Sequence, residues 1–125
     1  MMLPASIHLI DDDEAVLDAL GLYLESKGNA VHRHRQAAPV LEALHDARWP
    51  TCIVSDVRMP DLDGAALWRA VRERQPHLAR RVLFVTGDTL SLQARQVFEE
   101  TGCASLDKPF VNADLLAAVR ATLDR

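Results

Sequence analysis

The sequence predicts an α/β domain built on a doubly wound parallel sheet with helices on both of its faces. Strand-length segments that are mostly apolar alternate along the chain with segments whose apolar residues recur at helical spacing. Such alternation is typical of parallel sheets covered by helices on both faces. The 125 residues, 49% apolar and 26% charged, are enough for one domain, 1–125, with its own core.

A run of acids separates the first predicted strand from the first helix. Residues 6–10 are apolar except for His8, which we expect to pack within the strand, and three aspartates follow at 11–13. Of these, Asp13 is expected to start the helix, because a carboxylate favours a helix N-terminus. Gly28 is placed to end that helix.

The next strand and helix are more polar. Residues 30–35 alternate small or apolar with basic side chains, which suits the edge of a sheet better than its centre. Val40 and Ala47 belong to an amphipathic pattern that predicts a second helix, and Trp49-Pro50 would end it.

The third strand is followed by an abrupt turn. Residues 51–55 include three β-branched side chains and predict a buried strand that ends at Asp56. The segment 59–64 is rich in residues that stop regular structure, and we interpret Asp61 and Asp63 as turn formers. Asp56 therefore lies at the carboxyl end of a strand.

The rest of the chain repeats the alternation. Its predicted elements are a third helix after Gly64 ended by Gln75-Pro76, a strand over 81–85 that stops at Thr86, a fourth helix closed by Gly102, a strand over 103–106 before Asp107-Lys108-Pro109, and a last helix that Asn112 is expected to cap.

Polar residues from four strand ends should meet, because the carboxyl ends of parallel strands share one edge of the sheet. These residues are Asp11, Asp12, Asp56, Thr86 and Lys108. Two like charges about 4 Å apart repel by roughly 4 kcal/mol at an effective dielectric near 20, so the acids favour a bound divalent cation. Mg²⁺ prefers oxygen ligands and keeps waters that a phosphoryl oxygen can replace. Asp56 is then a candidate nucleophile toward phosphorus, with Thr86 and Lys108 as partners for the phosphoryl oxygens.

Four motifs at the strand ends carry a resemblance to a known family. They are Ile-Asp-Asp-Asp at 10–13, Ser-Asp-Val-Arg-Met-Pro-Asp-Leu-Asp-Gly at 55–64, Val-Thr-Gly-Asp at 85–88 and Asp-Lys-Pro-Phe at 107–110. The whole chain resembles the CheY-like receiver domains of bacterial response regulators in two-component signalling. The resemblance implies a flavodoxin-like fold with strand order 2-1-3-4-5, in which the polar second strand is an edge.

The resemblance also implies a role for each site residue. Asp56 would be the phosphoacceptor, Asp12 would bind Mg²⁺ directly, Asp11 would bind it through water, and the backbone carbonyl of Arg58 would be a further ligand. Mn²⁺ can substitute for Mg²⁺ in such a site.

Thr86 and Lys108 would contact the phosphoryl group, and the peptide bond before Pro109 would be cis. A sensor histidine kinase or a histidine phosphotransfer protein would supply the phosphoryl group. The domain would then relay a signal by conformational change, and it would catalyse only its own phosphorylation and dephosphorylation.

Ser105 departs from the usual receiver pattern, and Arg58 and Asp88 are expected to modulate the chemistry of the site. Ser105 stands where receivers that use an aromatic switch carry Tyr or Phe, and this resembles receivers associated with hybrid histidine kinases. Arg58 and Asp88 each lie two residues beyond a site residue. We hypothesise that they pair across the mouth of the site and slow the loss of the phosphoryl group; two solvated charges of little consequence are the alternative.

Composition excludes several other function classes. A net charge of −4 without a Lys/Arg run argues against direct nucleic acid contact. Cys52 and Cys103 are far apart and are expected to be buried and reduced. With no signal peptide and no membrane-length apolar segment, we expect a cytoplasmic protein that makes no membrane contact, and a homodimer is compatible with the sequence.

Other interpretations stay open at this stage. A receiver-like adaptor that binds partners without phosphorylation is compatible with Ser105. An aspartyl phosphatase is disfavoured because Val57-Arg58 follows Asp56 in place of an Asp-x-Asp signature, and clustered acids disfavour a flavin carrier. His32 and His34 share one face of a strand and could ligate a metal, but surface histidines are favoured; Trp49 and Trp68 are interpreted as packing residues.

Overall fold

A computed structural model describes residues 4–44, 50–88 and 90–125. Its centre is a sheet of five parallel strands in the order β2-β1-β3-β4-β5, which confirms the predicted order. The strands are β1 Ser6–Ile10, β2 Ala30–His34, β3 Thr51–Asp56, β4 Val82–Thr86 and β5 Ala104–Asp107. Each lies within two residues of its predicted bounds.

Helices connect the strands, and all adjacent strand pairs are parallel. They are α1 Glu14–Ser26, α2 Ala38–Ala43, α3 Gly64–Arg74, α4 Leu92–Thr101 and α5 Asn112–Leu123, and a 3₁₀ helix at Pro76–Arg81 joins α3 to β4. The predicted end of the second helix at Ala47 and Trp49 lies outside the described residues.

The sheet separates two apolar cores. Because side chains alternate across a strand, Ile10, Ile53 and Phe84 face α2, α3 and α4, whereas Leu9 and Val54 face α1 and α5. All these side chains are at most 2% exposed. The central strands are thus held from both faces, and their carboxyl ends are fixed by packing.

The predicted cap of the first helix is confirmed, and two further caps were not predicted. The side chain of Asp13 accepts hydrogen bonds from the amides of Ala15 and Val16 at the start of α1. Asp63, interpreted as a turn former, caps α3 by accepting one amide hydrogen bond, and Ser91 caps α4 in the same way. The prediction that Asn112 caps the last helix is wrong. Asn112 is the first residue of α5, and the cap is Val111, whose side chain has no polar atom to offer.

Histidines from β1 and β2 form a cluster that was not predicted. His8 is 4% exposed, its Nδ1 lies 3.1 Å from Nε2 of His34, and its ring stacks on His32 with a centroid distance of 4.7 Å. Burial, together with the charges of His32 and His34, lowers the pKa of His8 to about 4. His8 therefore packs in the strand as expected, and His32 is exposed as expected, but His34 is half-buried.

The remaining packing predictions are confirmed for Trp68 and Cys52 but not for Cys103. Trp68 is 9% exposed and its Nε1 donates to the Ala79 carbonyl at 2.8 Å, which confirms a packing role. Both cysteines are free, but Cys52 is buried whereas Cys103 is only partly so, which corrects that expectation. Among the described residues, no helix has the length and apolar character that crossing a membrane requires.

Candidate functional site at the carboxyl edge of the sheet

Three strand ends meet through one ammonium group. The Nζ atom of Lys108 lies 2.9 Å from Oδ2 of Asp56 and 3.2 Å from Oδ2 of Asp11. Asp11 follows β1, Asp56 ends β3 and Lys108 follows β5, so the contacts join residues far apart in the chain. The predicted convergence of Asp11, Asp56 and Lys108 is therefore present in the structure.

Asp56 has one carboxylate oxygen in each of two environments. Its Oδ1 accepts a hydrogen bond from the amide of Arg58 at 3.2 Å, and its Oδ2 faces the Lys108 ammonium. The side chain is 21% exposed, so it is accessible to solvent although β3 is otherwise buried. Asp56 thus presents a fixed carboxylate at the surface of the sheet edge.

The first two aspartates behave differently. Asp11 is 5% exposed, and its Oδ1 accepts the amide of Asp13 at 2.9 Å while Oδ2 faces Lys108. Asp12 is exposed, and its backbone carbonyl accepts a hydrogen bond from the guanidinium of Arg35 at 3.4 Å. Asp11 is therefore an inner member of the site, and Asp12 lies at its rim.

Lys108 is held in place by backbone and side-chain contacts. Its amide donates to the carbonyl of Thr86 at 2.8 Å, and the peptide bond to Pro109 is cis, as expected from the resemblance. Partial burial acts to lower the pKa of Lys108, but the hydrogen bond to Asp56 and the charges of Asp56 and Asp11 outweigh it and raise that pKa above its ordinary value. The side chain is therefore a positive charge at neutral pH.

Thr86 completes the set from β4. It is 6% exposed, and its Oγ1 accepts the amide of Asp88 at 3.2 Å, which leaves the hydroxyl hydrogen free to be donated. The backbone carbonyl of Thr86 also accepts the hydrogen bond from the Lys108 amide. The Thr86 hydroxyl and the Lys108 ammonium are therefore both positioned by the pairing of β4 with β5.

The residues of the site fit a hard divalent cation. Asp11, Asp12 and Asp56 offer carboxylate oxygens, the ligand type that Mg²⁺ prefers, and Mg²⁺ is usually held by one or two carboxylates together with waters. Across the described ranges, no three His, Cys, Asp or Glu side chains are gathered closely enough to ligate a metal as a group. The fit therefore rests on the Asp11 and Asp56 pair with Asp12 nearby in the chain, and Lys108 offsets their charge.

The three modulating positions lie around this centre. Ser105 is exposed on the edge strand β5, in register with Phe84 of β4. Arg58 and Asp88 are both exposed, and no ion pair joins them among the described residues. Their predicted pairing is not formed in this structure, and their effect on the phosphoryl group stays a prediction.

One aspartate has a role that the sequence did not indicate. Asp61 accepts hydrogen bonds from the amides of Ala37, at 3.0 Å, and Ala38, at 2.8 Å, at the start of α2. It was interpreted only as a turn former. The signal in the sequence is weak: the start of α2 has Ala37, Ala38 and Pro39 and so lacks a capping side chain of its own.

A groove of about 560 Å³ lies beside the site. It is lined by the last two residues of β2, Arg33 and His34, and by residues that follow β1, β2 and β3, among them Asp12, Pro39 and Pro60. One wall of the groove thus comes from the segment after Asp56, and another comes from the segment that leads into α2.

Comparison with known proteins agrees with this geometry. Residues 7–120 match the model of the response regulator receiver domain. The transcriptional regulatory protein FixJ of Azorhizobium caulinodans is 43% identical over 124 residues, which cover 95% of this chain and 55% of that protein. The chain thus spans about half the length of this relative.

Solved structures show the same fold. The crystal structure of FixJ-N superimposes with a TM-score of 0.84 at 26% identity and covers 99% of this chain and 97% of its own. The receiver domain of the sensor histidine kinase PA1611 from Pseudomonas aeruginosa PAO1, described with a magnesium ion coordinated in its active site cleft, has a TM-score of 0.82 at 23% identity, covering 98% and 100%. These likenesses do not decide for a hybrid-kinase type of receiver.

Proposed function

The chain belongs to the response regulator receiver domain family, and from that premise we propose that it accepts a phosphoryl group on Asp56 and passes on the signal by a change of conformation. The observation that carries the proposal is the contact of Asp56 with Lys108 at 2.9 Å, beside the buried carboxylate of Asp11. It supports the proposal because the proposed nucleophile contacts a fixed cation that also contacts a second acid.

The proposed reaction is an in-line displacement at phosphorus. A carboxylate oxygen of Asp56 forms a bond to phosphorus while the phosphorus–nitrogen bond of a donor phosphohistidine breaks, and the electron pair leaves with the imidazole. Lys108 offsets the negative charge that accumulates as two anionic groups approach, and its raised pKa keeps it protonated. The buried hydroxyl of Thr86 is proposed to donate to a phosphoryl oxygen.

Receiver domains generally bind Mg²⁺ in the active site. In this chain Asp11, Asp12, Asp56 and the carbonyl of Arg58 are the proposed ligands, with Mn²⁺ as a substitute. When bound, the ion would supply positive charge to the phosphoryl oxygens. The stored acyl phosphate would then be lost to water, so the chain is proposed to modify itself and not to turn over a separate substrate.

The donor and the cellular setting belong to the same proposal. A sensor histidine kinase or a histidine phosphotransfer protein fits as the partner, because none of the five histidines of the sequence lies in a segment that resembles a phosphotransfer helix. Because the chain spans about half the length of its curated relative, the output of the whole protein is also a matter of proposal. A cytoplasmic location and a homodimer remain expectations.

The deciding experiment compares wild type with Asp56→Asn. Both proteins are incubated with Mg²⁺ and a small phosphodonor, and intact mass is measured. We expect one phosphoryl adduct on wild type and none on the variant, because the amide is a far weaker nucleophile than the carboxylate. An adduct on both proteins, or on neither, contradicts the proposal.

The adaptor hypothesis has one observation in its favour, the exposed Ser105 in place of a switch aromatic. It predicts that a partner binds wild type and Asp56→Asn equally well and that a phosphodonor changes neither affinity. A change in partner affinity that needs both the donor and Asp56 would exclude this hypothesis.

A further inference from the structure

We propose that Asp61 is a positioning residue that ties the segment after the acceptor to the start of α2 and thereby sets the affinity of the site for Mg²⁺. The inference rests on the proposed function, because it concerns the segment that carries the carbonyl of Arg58. It adds a residue that lies outside the acceptor, metal and phosphoryl set described above.

The carboxylate of Asp61 makes two bonds to one short stretch of backbone. Oδ1 accepts from Ala37 at 3.0 Å and Oδ2 accepts from Ala38 at 2.8 Å, so both oxygens are engaged. Asp61 is exposed; its slight loss of solvent acts to raise its pKa, but these two amides, with its own amide and that of Leu62, hold the pKa below its ordinary value. The bridge is therefore made by an ionised carboxylate.

The start of α2 depends on this bridge. Ala37 is fully buried, its side chain cannot cap, and α2 is only six residues long. Without Asp61, the amide of the buried Ala37 would lack this acceptor, which is unfavourable, whereas the amide of the exposed Ala38 is open to water. Asp61, which lies 24 positions further along the chain, supplies the acceptor that the local sequence lacks.

The same residue fixes the middle of the segment after Asp56. The far end of that segment is already held, because the amide of Gly64 donates to the carbonyl of Val57 at 2.8 Å and Asp63 caps α3. A Cβ at position 64 would lie 2.8 Å from Phe84, so the backbone passes close to this core side chain and only glycine fits there without a shift. Asp61 provides the lateral attachment between these anchors.

Arg58 lies close to this attachment in the chain. Between them are Met59, which is 8% exposed and packed in the core on the α2 side, and Pro60, whose ring fixes φ. With these two residues restrained, a shift of Asp61 is transmitted toward Arg58, whose amide also holds Oδ1 of Asp56. Loss of the Asp61 bridge is therefore expected to loosen the carbonyl of Arg58, which is one proposed metal ligand. It is also expected to loosen the amide of Arg58, which holds Asp56, another proposed ligand.

The test uses Asp61→Ala, Asp61→Asn and a control, Asn29→Ala. Asn29 donates to the carbonyl of Leu24 at 3.0 Å at the opposite end of the sheet, so its loss removes a side-chain bond to a helix end without touching the site. For each protein, Mg²⁺ affinity is measured by calorimetric titration, and exchange of the Ala37 and Ala38 amides is followed by NMR.

We expect Asp61→Ala to raise the Mg²⁺ dissociation constant by roughly three- to tenfold, less than the 10–100-fold typical of groups bonded directly to a metal ligand. Both alanine amides should exchange faster. Asp61→Asn keeps one acceptor oxygen and should fall between wild type and Asp61→Ala, and Asn29→Ala should match wild type.

Faster amide exchange with an unchanged Mg²⁺ affinity would overturn the inference, since Asp61 would then only stabilise α2. An equal loss of affinity in Asn29→Ala would also overturn it, because the effect would follow general stability. The outcome is separate from that of the proposed function: wild type that binds Mg²⁺ but takes no phosphoryl adduct refutes the proposed function, and the Asp61 variants still decide the inference.

Discussion

Two groups of ionisable side chains differ in whether their surroundings favour or disfavour a positive charge. At the carboxyl edge, Lys108 lies between Asp11 and Asp56, and its pKa is raised. In the histidine cluster of β1 and β2, rings of the same type stack on one another, and the pKa of His8 is lowered to about 4. Lys108 is held as a charged group that is partly open to solvent, whereas His8 is held as a neutral, buried ring.

The difference lies in the partners and not in burial alone. His8 is more buried than Lys108, but loss of solvent acts to lower the pKa of both groups. For Lys108, the two carboxylates outweigh this effect and raise the pKa. Burial lowers the pKa of His8 and of His34, and among the described residues no carboxylate contacts either ring to offset it. An ionisable group that loses solvent in this fold therefore keeps its charge where groups of opposite charge surround it, as around Lys108, and loses it where they do not, as at His8.

The largest expected effect comes from acidifying the histidine cluster. The pKa of His8 is about 4 in the folded chain and about 6.5 in the unfolded one, so the unfolded state binds more protons between these values. The contribution of neutral His8 is present above pH 6.5 and is lost as pH falls toward 4. We expect a loss on the order of 3 kcal/mol, measured by urea unfolding at several pH values.

Carboxylates also titrate at the lower end of this range, so the control is His8→Leu measured over the same pH series. The variant should show a smaller decrease between pH 6.5 and 4 than wild type. If the free energy of unfolding of the two proteins fell by the same amount over this pH range, the titration of His8 would not account for the loss.

A smaller effect is expected when the cation is removed from the carboxyl edge. Lys108→Met leaves Asp11 and Asp56 without their shared partner, and partly exposed pairs of this kind contribute less than fully buried ones. Without Mg²⁺, the free energy of unfolding should fall by about 2 kcal/mol, and millimolar Mg²⁺ should restore part of it.

The matched control is Lys27→Met, because the Lys27 ammonium contacts only the face of Tyr23 among the described residues, at 5.5 Å from the ring centroid. Its stability should not respond to Mg²⁺ beyond the response of wild type. If Lys108→Met is as stable as wild type in chelator, the ammonium does not hold the acids together.

The smallest effect concerns the exposed charges at the mouth of the site. Exposed ion pairs contribute roughly 0.2–1 kcal/mol, which corresponds to at most about a fivefold change in a rate. We expect Arg58→Ala, Asp88→Ala to lose its phosphoryl group faster than wild type within that limit, as followed by intact mass after the donor is removed. Equal rates would dispose of the pairing hypothesis and leave two solvated charges.

The parts of this structure that depend on chain periodicity were predictable from the sequence. Apolar strands that end at Asp11, Asp56 and Thr86 are encoded locally, and the parallel sheet then brings those ends together without further information. The order of the strands and the cis bond at Pro109 came from the resemblance to a family and were confirmed.

The parts that depend on single long-range contacts were not predictable. The bond from Asp61 to the start of α2 joins positions 24 apart, and an aspartate in a turn gives no sign of a distant acceptor role. His34 is half-buried and contacts His8 of the neighbouring strand, a contact between positions 26 apart that composition does not show. Asn112 is displaced from the cap by one residue, which is within the usual uncertainty of helix ends.

The backbone bond from the Lys108 amide to the Thr86 carbonyl, 2.8 Å long, has a consequence for protein engineering. Thr86 ends β4 and Lys108 follows β5, so the two residues that would contact the phosphoryl group come from neighbouring strands that pair with each other in the sheet. A chimaera that takes β5 and the turn after it from this chain, but not the end of β4, therefore separates Lys108 from the Thr86 carbonyl that orients its backbone. The smallest transferable unit of this receiver's phosphoryl-contacting half is the pair of strand ends together.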